Sequence, residues 1–532
     1  PFAFNSIYLN TYRGLGGEVI IPDDRGITTI NAFAFSGYEL VEKDLSAGDV
    51  IDKESPYHTK QSAIGDDTIT KVVIPEGVTT IEQYAFAKLT ALEEVVLPST
   101  LNLIGLGAFQ GCTKLAKINL ENVQFINERA FSGCALADTL GYDESGKPKA
   151  AKMVSIGNYA FENCKLDTVA LPETAQSIGI GAFSNNKELI NVEFDAAKVK
   201  VGKSAFAGCT DLTSIDINAA VISAYAFRGC TALNRVRLGA DVSVIGEYAF
   251  AGTSVETFDL SSANSYLETK ENGKYICKGT ELIAAAPKAG NRVTLPADIT
   301  AISTGAFAGN SSLFALTATG VTSVGDYAFA DCTELTTLNL GKLTTVGAYA
   351  FANTKISATP DLSETENIGN YAFALTRITS VNLPENVVVG EYAFALNDKL
   401  ASVTIGNGAT IGEAAFYSRM SDYSFEGTKQ FTLGYYKTYE YEVKDGNGAT
   451  TNRYTYYSYD VLKGNVSSLT SLTIGKNVAI GDYAFAGNAK LTSIVWGDGN
   501  GEGVTIGKYA FYNAASLATA DLSPLEKIGE AA

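Results

Sequence analysis

The sequence predicts a solenoid in which short, similar units stack along one axis, and three observations support this fold class. The pattern I-G-x-Y-A-F recurs along almost the whole chain of 532 residues. Most copies lie 21 to 23 residues apart. Units such as the one that ends at Phe351 also contain a short alternation of leucines. A unit of this size cannot bury its own apolar face, so it must stack on its neighbours and form one continuous core.

The phenylalanine of the pattern marks each unit. Seventeen copies occur, at Phe35, Phe86, Phe109, Phe131, Phe161, Phe183, Phe206, Phe227, Phe250, Phe307, Phe329, Phe351, Phe373, Phe394, Phe416, Phe485 and Phe511. The long gaps after Phe35, Phe131, Phe250 and Phe416 indicate insertions.

The leucines of a unit predict one short strand. In the unit that ends at Phe351, Leu335, Leu338 and Leu340 follow an alternation that places leucines on the inner side of a strand. Proline often follows, as at Pro75 and Pro384, and it ends the strand because it has no N–H for the ladder. Glycine precedes the phenylalanine by four residues in twelve copies. This position therefore needs either a positive φ or close packing.

The unit C-x-x-L-x-x-L-x-L-P-x-x-(V/L)-x-x-I-G-x-Y-A-F resembles the BspA-type leucine-rich repeat of bacterial surface proteins. The resemblance covers the chain from about residue 17 to residue 532. It implies a leucine-rich-repeat solenoid (α/β, β-rich). The curved parallel sheet would form the concave face, with short turns or helices on the convex face and β-hairpin insertions. Residues 265–287 resemble a hairpin insertion that is frequent in this family. The resemblance also implies export to the cell surface and adhesion to host matrix proteins or cells.

On this basis residues 1–17 form an N-terminal cap. Residues 18–532 form a single array of about 17 repeats, with insertions near 38–68, 135–153, 260–290 and 417–468.

Composition excludes several classes of function. The formal net charge is −18 and no basic cluster occurs, so we expect no nucleic-acid partner. The longest apolar runs are too short to span a membrane, and we expect no transmembrane segment. The only histidine is His58, which removes most triads, histidine-ligated metal sites and general bases. We therefore expect no enzyme, no cofactor and no metal.

Six of the seven cysteines occupy one position, three residues after the phenylalanine. They are Cys112, Cys134, Cys164, Cys209, Cys230 and Cys332. Other units have asparagine or threonine there, as at Asn186 and Thr253. A position that accepts all three types predicts a buried site where a small side chain meets a backbone group, with cysteine free and reduced.

Residues 431–462 predict a tyrosine-rich β-hairpin with turn signals at Asp445-Gly446 and Asn447-Gly448. Its aromatic face either packs on the repeat array or forms a binding patch. If it binds, the candidate residues are Tyr435, Tyr439, Tyr441, Tyr454, Tyr456, Tyr457 and Tyr459.

The strand residues between the leucines are predicted to form the concave face, and they are small and polar with almost no aromatics. They include Asn119, Asp216, Arg237, Asp259, Asn339, Asn382, Thr404 and Thr473. Solvated Ser/Thr/Asn ladders explain this composition, although a broad face of this kind also suits protein recognition. Asp498 lies in the stretch GDGNGEG, which we interpret as a turn rather than a calcium loop.

These observations predict a non-enzymatic, monomeric, secreted or cell-surface binding protein. It would act like an adhesin and recognise an extracellular protein or glycoprotein through the solenoid face and the insertion hairpins. Two alternatives remain: a polysaccharide-binding surface protein that uses the tyrosine hairpin, and a structural surface spacer.

Overall fold

The computed structural model describes residues 2–5, 8–12, 16–36, 38–40, 59–61, 68–195, 199–418, 436–444, 450–459, 468–497, 501–518 and 525–532. For residues 2–5, 10–11, 38–40, 59–61, 195, 436–444 and 450–459 it describes the backbone alone. The chain divides into two compact units, residues 1–355 and residues 356–532.

In the first unit one set of strands forms a ladder of very short parallel strands, most of them two residues long. It begins with an antiparallel pair, Phe2–Asn5 and Tyr8–Tyr12. The parallel strands that follow are Thr29–Ile30, Thr80–Ile81, Leu103–Ile104, Phe125–Ile126, Ser155–Ile156, Ser177–Ile178, Lys200–Val201, Val221–Ile222 and Val244–Ile245. Each of these strands ends on the buried isoleucine or valine that precedes the Gly or equivalent residue of the repeat pattern.

A second ladder in this unit starts in the region of the hairpin insertion. Glu268–Lys270, Tyr275–Lys278 and Glu281–Ala285 are antiparallel, which confirms the hairpin expected there. Glu281–Ala285 then pairs in parallel with Ala301–Ile302, which is followed by Ser323–Val324 and Thr345–Val346.

The longer strands of the L-x-L segments form separate parallel sheets. In the first unit they are Gly17–Ile20, Ile69–Val73, Glu94–Val96 and Lys117–Ile118; Thr168–Leu171, Asn191–Asp195, Ser214–Asn218, Arg235–Leu238 and Phe258–Leu260; and Arg292–Thr294, Ala315–Ala318 and Thr337–Leu340. The alternating burial of these strands, as in Arg235–Leu238, places one side in the core and leaves the other side exposed.

The second unit repeats this arrangement. Its short strands are Asn367–Ile368, Val388–Val389, Thr410–Ile411, Ala479–Ile480, Thr505–Ile506 and Lys527–Ile528. Its longer strands are Ser380–Leu383, Ser402–Ile405, Ser471–Ile474 and Ser493–Trp496.

Two antiparallel pairs complete the described strands, Tyr38–Leu40 with Thr59–Gln61 and Tyr436–Lys444 with Thr450–Tyr459.

The structure corrects one part of the predicted fold class. The parallel solenoid is present, but the described residues contain turns and strands and no helix. The four residues around each repeat phenylalanine form consecutive turns instead of the short helices allowed for in the sequence analysis. Alternate N–H groups donate to carbonyls of the next repeat, as Phe329 does to Ala350 at 2.8 Å, and the N–H groups between them close turns within the segment, as Ala330 does with Tyr327 at 3.0 Å. A helical ladder would need those donors within the segment.

The phenylalanines form the centre of the core. Nine rings, from Phe35 to Phe250, stack in order with centroids 4.7 to 5.6 Å apart. In the second unit Phe416 stacks directly on Phe485 at 5.0 Å, although 68 residues lie between them in sequence. Residues inserted between two successive repeats thus leave the stack intact.

The stack is broken at one place in the first unit. Ala285 donates its N–H to Ala306 in the same way as Phe307 donates to Ala328, so an alanine occupies the backbone position of a phenylalanine. A cavity of about 20 Å³ is left there, and Phe250, Ala285 and Phe307 are among the residues that line it.

The positive φ at the corner of each repeat does not belong to the glycine four residues before the phenylalanine. The residue two before the phenylalanine has a positive φ in all seventeen copies, and in ten of them it is tyrosine, as at Tyr327 with a φ of 56°. The glycine four before the phenylalanine is required by packing. A Cβ on Gly246 would lie 2.4 Å from the backbone nitrogen of Ala224 in the preceding unit. Of the two explanations left open by the sequence, close packing is therefore the correct one.

The shared position of the cysteines is a cap for backbone carbonyls, as predicted. Each of the six repeat cysteines is buried and donates its Sγ–H to the carbonyl of the phenylalanine one unit earlier, at 3.1 to 3.3 Å. Asn186 makes the same contact with Phe161 at 2.8 Å and a second one with Phe183. Thr253 reaches the carbonyl of Phe250 in its own unit at 2.8 Å.

The buried thiols predict a loss of stability in alkaline solution. Burial raises the pKa of Cys112 and of Cys164 from the ordinary value of 9.0 to about 12. The unfolded chain therefore releases these protons at a lower pH than the folded chain does. The stabilising contribution is complete below pH 9 and is lost as the pH rises towards 12. We expect the free energy of unfolding to fall by about 1–2 kcal/mol per thiol between pH 8 and pH 10.5.

Urea unfolding at these two pH values measures this loss. A Cys112→Ala/Cys164→Ala variant should show a smaller drop than the wild type, because tyrosines and lysines titrate equally in both proteins. An identical drop in the two proteins would contradict the assignment to the thiols.

Candidate binding surface

The exposed side of the longer strands is a regular surface in both compact units, because parallel pairing sets its side chains in rows. In the second unit one row is Ser380, Ser402, Ser471 and Ser493. The neighbouring row contains Asn382, Thr404 and Thr473, which are exposed or half-buried. These rows confirm the polar ladders that the sequence predicted for these residues.

Charged side chains replace this pattern in the first sheet of the first unit. Register aligns Glu18, Lys71, Glu94 and Lys117 across four neighbouring strands. Lys71 Nζ lies 3.3 Å from Glu18 and 3.5 Å from Glu94. These two carboxylates raise the pKa of Lys71. We call these four residues the Lys71 row. Its two acids and two bases give it a net charge of zero.

A second charged row lies on the five-stranded sheet of the same unit. Glu193, Asp216, Arg237 and Asp259 are aligned across four strands, and we call them the Arg237 row. Arg237 Nη1 lies 3.1 Å from Asp216 and Arg237 Nε lies 3.3 Å from Asp259. Three of these residues were expected on the sheet face from the sequence. Their alignment with Glu193 follows from strand register, which the sequence did not reveal.

Two other residues predicted for this face also lie in exposed positions. Asn119 follows the strand Lys117–Ile118, and Asn339 pairs with Thr317 in the three-stranded sheet. All eight residues assigned to the sheet face from the sequence are thus exposed or half-buried.

The tyrosine-rich segment forms the predicted antiparallel pair, Tyr436–Lys444 with Thr450–Tyr459. Tyr439 is opposite Tyr456 and Tyr441 is opposite Tyr454. Tyr457 and Tyr459 are opposite Thr438 and Tyr436.

The predicted turn at 445–448 and Tyr435 lie outside the described residues, as do the side chains of the other candidate tyrosines. Their role in binding stays a prediction.

The tyrosines of the repeat pattern pack against one another instead of forming a ligand site. Tyr225 stacks on Tyr248 at 5.0 Å and Tyr327 on Tyr349 at 4.8 Å. Burial raises the pKa of Tyr371 to about 12. The repeat tyrosines therefore form packed rows of rings along the array.

In the part of the chain that the structure describes, no group of three or more His, Cys, Asp or Glu side chains is placed to hold a metal ion. Asp498 lies outside that part. Among the described residues no helix is long and apolar enough to cross a membrane.

The fold and its exposed rows define a class: a parallel β-solenoid of the leucine-rich-repeat type. The chain belongs to the family described as BspA type leucine rich repeat region. The family model, which describes a region of six repeat copies, matches residues 16–138, 154–272, 300–422 and 460–532. No curated protein matches the sequence.

Solved structures with a similar fold come from several bacteria. A leucine-rich repeat protein from Bacteroides ovatus is 16% identical, with 93% of this chain and 97% of that chain covered and a TM-score of 0.44. A leucine rich cell surface protein from Faecalibacterium prausnitzii is 21% identical, with 77% and 88% covered and a TM-score of 0.41. The pneumococcal vaccine antigen PcpA is 15% identical, with 99% and 95% covered and a TM-score of 0.37.

Proposed function

We propose that this chain is a non-enzymatic binding protein, secreted or displayed at the cell surface, that acts like an adhesin. Its partner is an extracellular protein or glycoprotein of a host or a neighbouring cell. The protein acts as a monomer. The exposed strand face and the tyrosine hairpin provide the contacts.

The observation that carries this proposal is the regular exposed face of the longer strands. Its side chains stand in rows one strand spacing apart, about 4.8 Å, and differ in chemistry from one sheet to the next. The sheet of Ser380–Leu383 carries serines, whereas the sheet of Arg235–Leu238 carries charges. A rigid face of this kind presents many weak contacts at fixed positions, which is what recognition of a large partner needs.

The hairpin adds a second, aromatic element to this surface. Tyrosine offers a large contact area at low conformational cost, and pairs of tyrosines opposite one another in register, such as Tyr439 with Tyr456, concentrate that area. Four of the seven candidate tyrosines form such opposed pairs with each other.

A binding array with matrix glycoproteins and purified polysaccharides side by side tests the function. It is probed with the full chain and with a variant that lacks residues 430–461. Since Phe416 and Phe485 stack directly, and Ser418 donates its N–H to Ala486 at 2.9 Å, we expect this deletion to leave the repeat stack folded. The wild type should bind at least one protein, and the deletion should weaken that binding at least tenfold.

A double substitution, Tyr439→Ala with Tyr441→Ala, sharpens this test. It should reduce binding without a shift of the melting temperature, while Tyr266→Ala, at a tyrosine that is 54% exposed in another insertion, should leave binding unchanged. A large melting shift would show that the hairpin tyrosines pack on the array. Retention by glycans alone would favour the polysaccharide alternative. No binding to either class would favour the spacer.

A further inference from the structure

The Arg237 row differs from every other described row of the exposed strand face in its charge. Its four residues carry three carboxylates and one guanidinium, a net charge of −2. Arg237 is held between Asp216 at 3.1 Å and Asp259 at 3.3 Å, so its own charge is already satisfied. The excess charge of the row is therefore negative, and the carboxylates that carry it lie at fixed positions.

Glu193 extends the row towards an aromatic ring. Burial, followed by the effect of the Glu193 carboxylate, raises the pKa of Tyr142 to about 12. Tyr142 belongs to the predicted insertion at 135–153 and is 36% exposed. The row thus has an accessible aromatic ring at one end, and an aromatic face attracts cations.

A hollow of about 680 Å³ lies over the row. Asn218, Ser261 and Ser262 line it together with the four charged residues. The hollow is open to solvent, so an extended segment can lie along it. The lining is polar, with hydroxyl and amide groups beside the carboxylates, so it suits a ligand that brings hydrogen-bond donors.

The Lys71 row shows that a row of charged residues does not necessarily carry a net charge. It has the same central arrangement, with one cation between two carboxylates from the neighbouring strands. Lys117 is its fourth member, in place of the acid Glu193, and its net charge is zero. The two rows are therefore a natural pair for comparison within one unit.

We propose that the Arg237 row is a docking site for a basic, extended segment of a partner protein, whose arginine or lysine side chains enter the hollow. The proposal rests on the proposed function and names the chemistry of the partner. Charge complementarity carries it, since the row has a net charge of −2 and the whole chain one of −18. From Glu193 to Asp259 the row spans three strand spacings, about 14 Å. One guanidinium cannot reach all three carboxylates, so at least two cationic side chains are needed.

Calorimetric titration with a blocked peptide of alternating glycine and arginine, containing four arginines, tests this proposal. The full chain is compared with Asp216→Asn/Asp259→Asn, which removes both partners of Arg237. The matched control is Glu18→Gln/Glu94→Gln, which removes both partners of Lys71 and changes the total charge equally. We expect at least a tenfold loss of affinity in the first variant and less than a twofold change in the second.

Glu193→Gln gives an independent check, because it leaves both ion pairs of Arg237 in place. We expect a loss of about threefold from it. The same peptide with citrulline in place of arginine keeps the shape and removes the charge, and it should not bind. Circular dichroism melting curves of all variants should superimpose, because every substituted side chain is exposed or half-buried.

Equal losses in the two double variants would overturn the proposal, since binding would then follow the overall charge. Absence of peptide binding to the wild type would also overturn it, and so would spermine that binds as tightly as the peptide. The fate of the proposed function is measured separately on the matrix array. A matrix protein that binds Asp216→Asn/Asp259→Asn as well as the wild type would refute this site and leave the proposed function standing. Binding of the peptide without binding of any protein on the array would support this site and count against the proposed function.

Discussion

Replacing Phe206 by alanine is expected to lower the free energy of unfolding of its part of the array by about 3–5 kcal/mol. The ring is fully buried and stacks between Phe183 at 5.0 Å and Phe227 at 5.3 Å. Its removal leaves a cavity that neither neighbour can fill, because both rings are held by the next members of the stack. The carbonyl of Phe206 also accepts the Sγ–H of Cys230 at 3.1 Å, so any backbone shift would break that contact as well.

Amide hydrogen exchange measures this loss locally, which suits an array whose units unfold with different free energies. Phe125→Ala is the matched control, since this phenylalanine is 36% exposed on a short strand of the same unit. Its cost should be below about 1 kcal/mol. Similar losses at the two positions would show that the ring stack does not dominate the stability of the core.

Asn397→Leu is expected to cost about 3 kcal/mol or more, because it removes a buried hydrogen-bond centre while keeping the branched shape of the side chain. Asn397 Nδ2 donates to the carbonyl of Phe373 at 2.9 Å and to that of Phe394 at 2.8 Å. Its Oδ1 accepts the backbone N–H of Thr376 at 2.7 Å. Leucine leaves these groups buried without the bonds that Asn397 makes to them.

The chain itself supplies the rescue variant for this experiment. Cysteine occupies the same position in six other units and makes the contact with the earlier phenylalanine carbonyl, so Asn397→Cys should recover part of the lost stability. Asn382→Leu, at an exposed position of the same unit, should change stability by less than about 0.5 kcal/mol. Urea midpoints order the three variants. An Asn397→Cys variant that is as unstable as Asn397→Leu would contradict the view that the side chain at this position acts as a cap for backbone carbonyls.

The sequence predicted the repeat, its buried phenylalanines and the common role of the cysteine position. These features depend on side chains that recur in step with the fold, so one unit could be checked against sixteen others. The substitution of Asn186 or Thr253 for cysteine was informative because the three side chains share size and hydrogen bonding but differ in reactivity. Such a position has to be structural.

The short strands and the strained corner could not be predicted in the same way. Strands of two residues, such as Ser323–Val324, are too short to show alternation. A positive φ is normally associated with glycine or asparagine, whereas ten units place tyrosine there. Tyrosine is accepted at that corner because the N–H donates to the next unit, as Tyr327 does to Ala348 at 2.8 Å, and because the ring stacks on its neighbours.

The candidate binding surface was predictable residue by residue but not as a pattern. Asp216, Arg237 and Asp259 were assigned to the exposed face from alternation alone. Their position in one row with Glu193, and the approach of Tyr142 from an insertion, depend on which strand pairs with which and in what register. A sequence of repeats with unequal lengths does not fix that register by counting.

The alanine at the broken place in the phenylalanine stack has a consequence for how the first unit unfolds. In a linear array the cooperativity between neighbours is carried by the contacts at each interface. Between Phe250 and Phe307 no parallel ring stack continues: Phe258 meets Phe250 at a tilt, Ala285 takes the backbone position of a phenylalanine and a small cavity remains, so we expect weaker coupling between these neighbours. We therefore expect the nine-ring segment and the segment that begins at Phe307 to unfold as two separate foldons. A partner that pulls on the Arg237 row would load only the first of them.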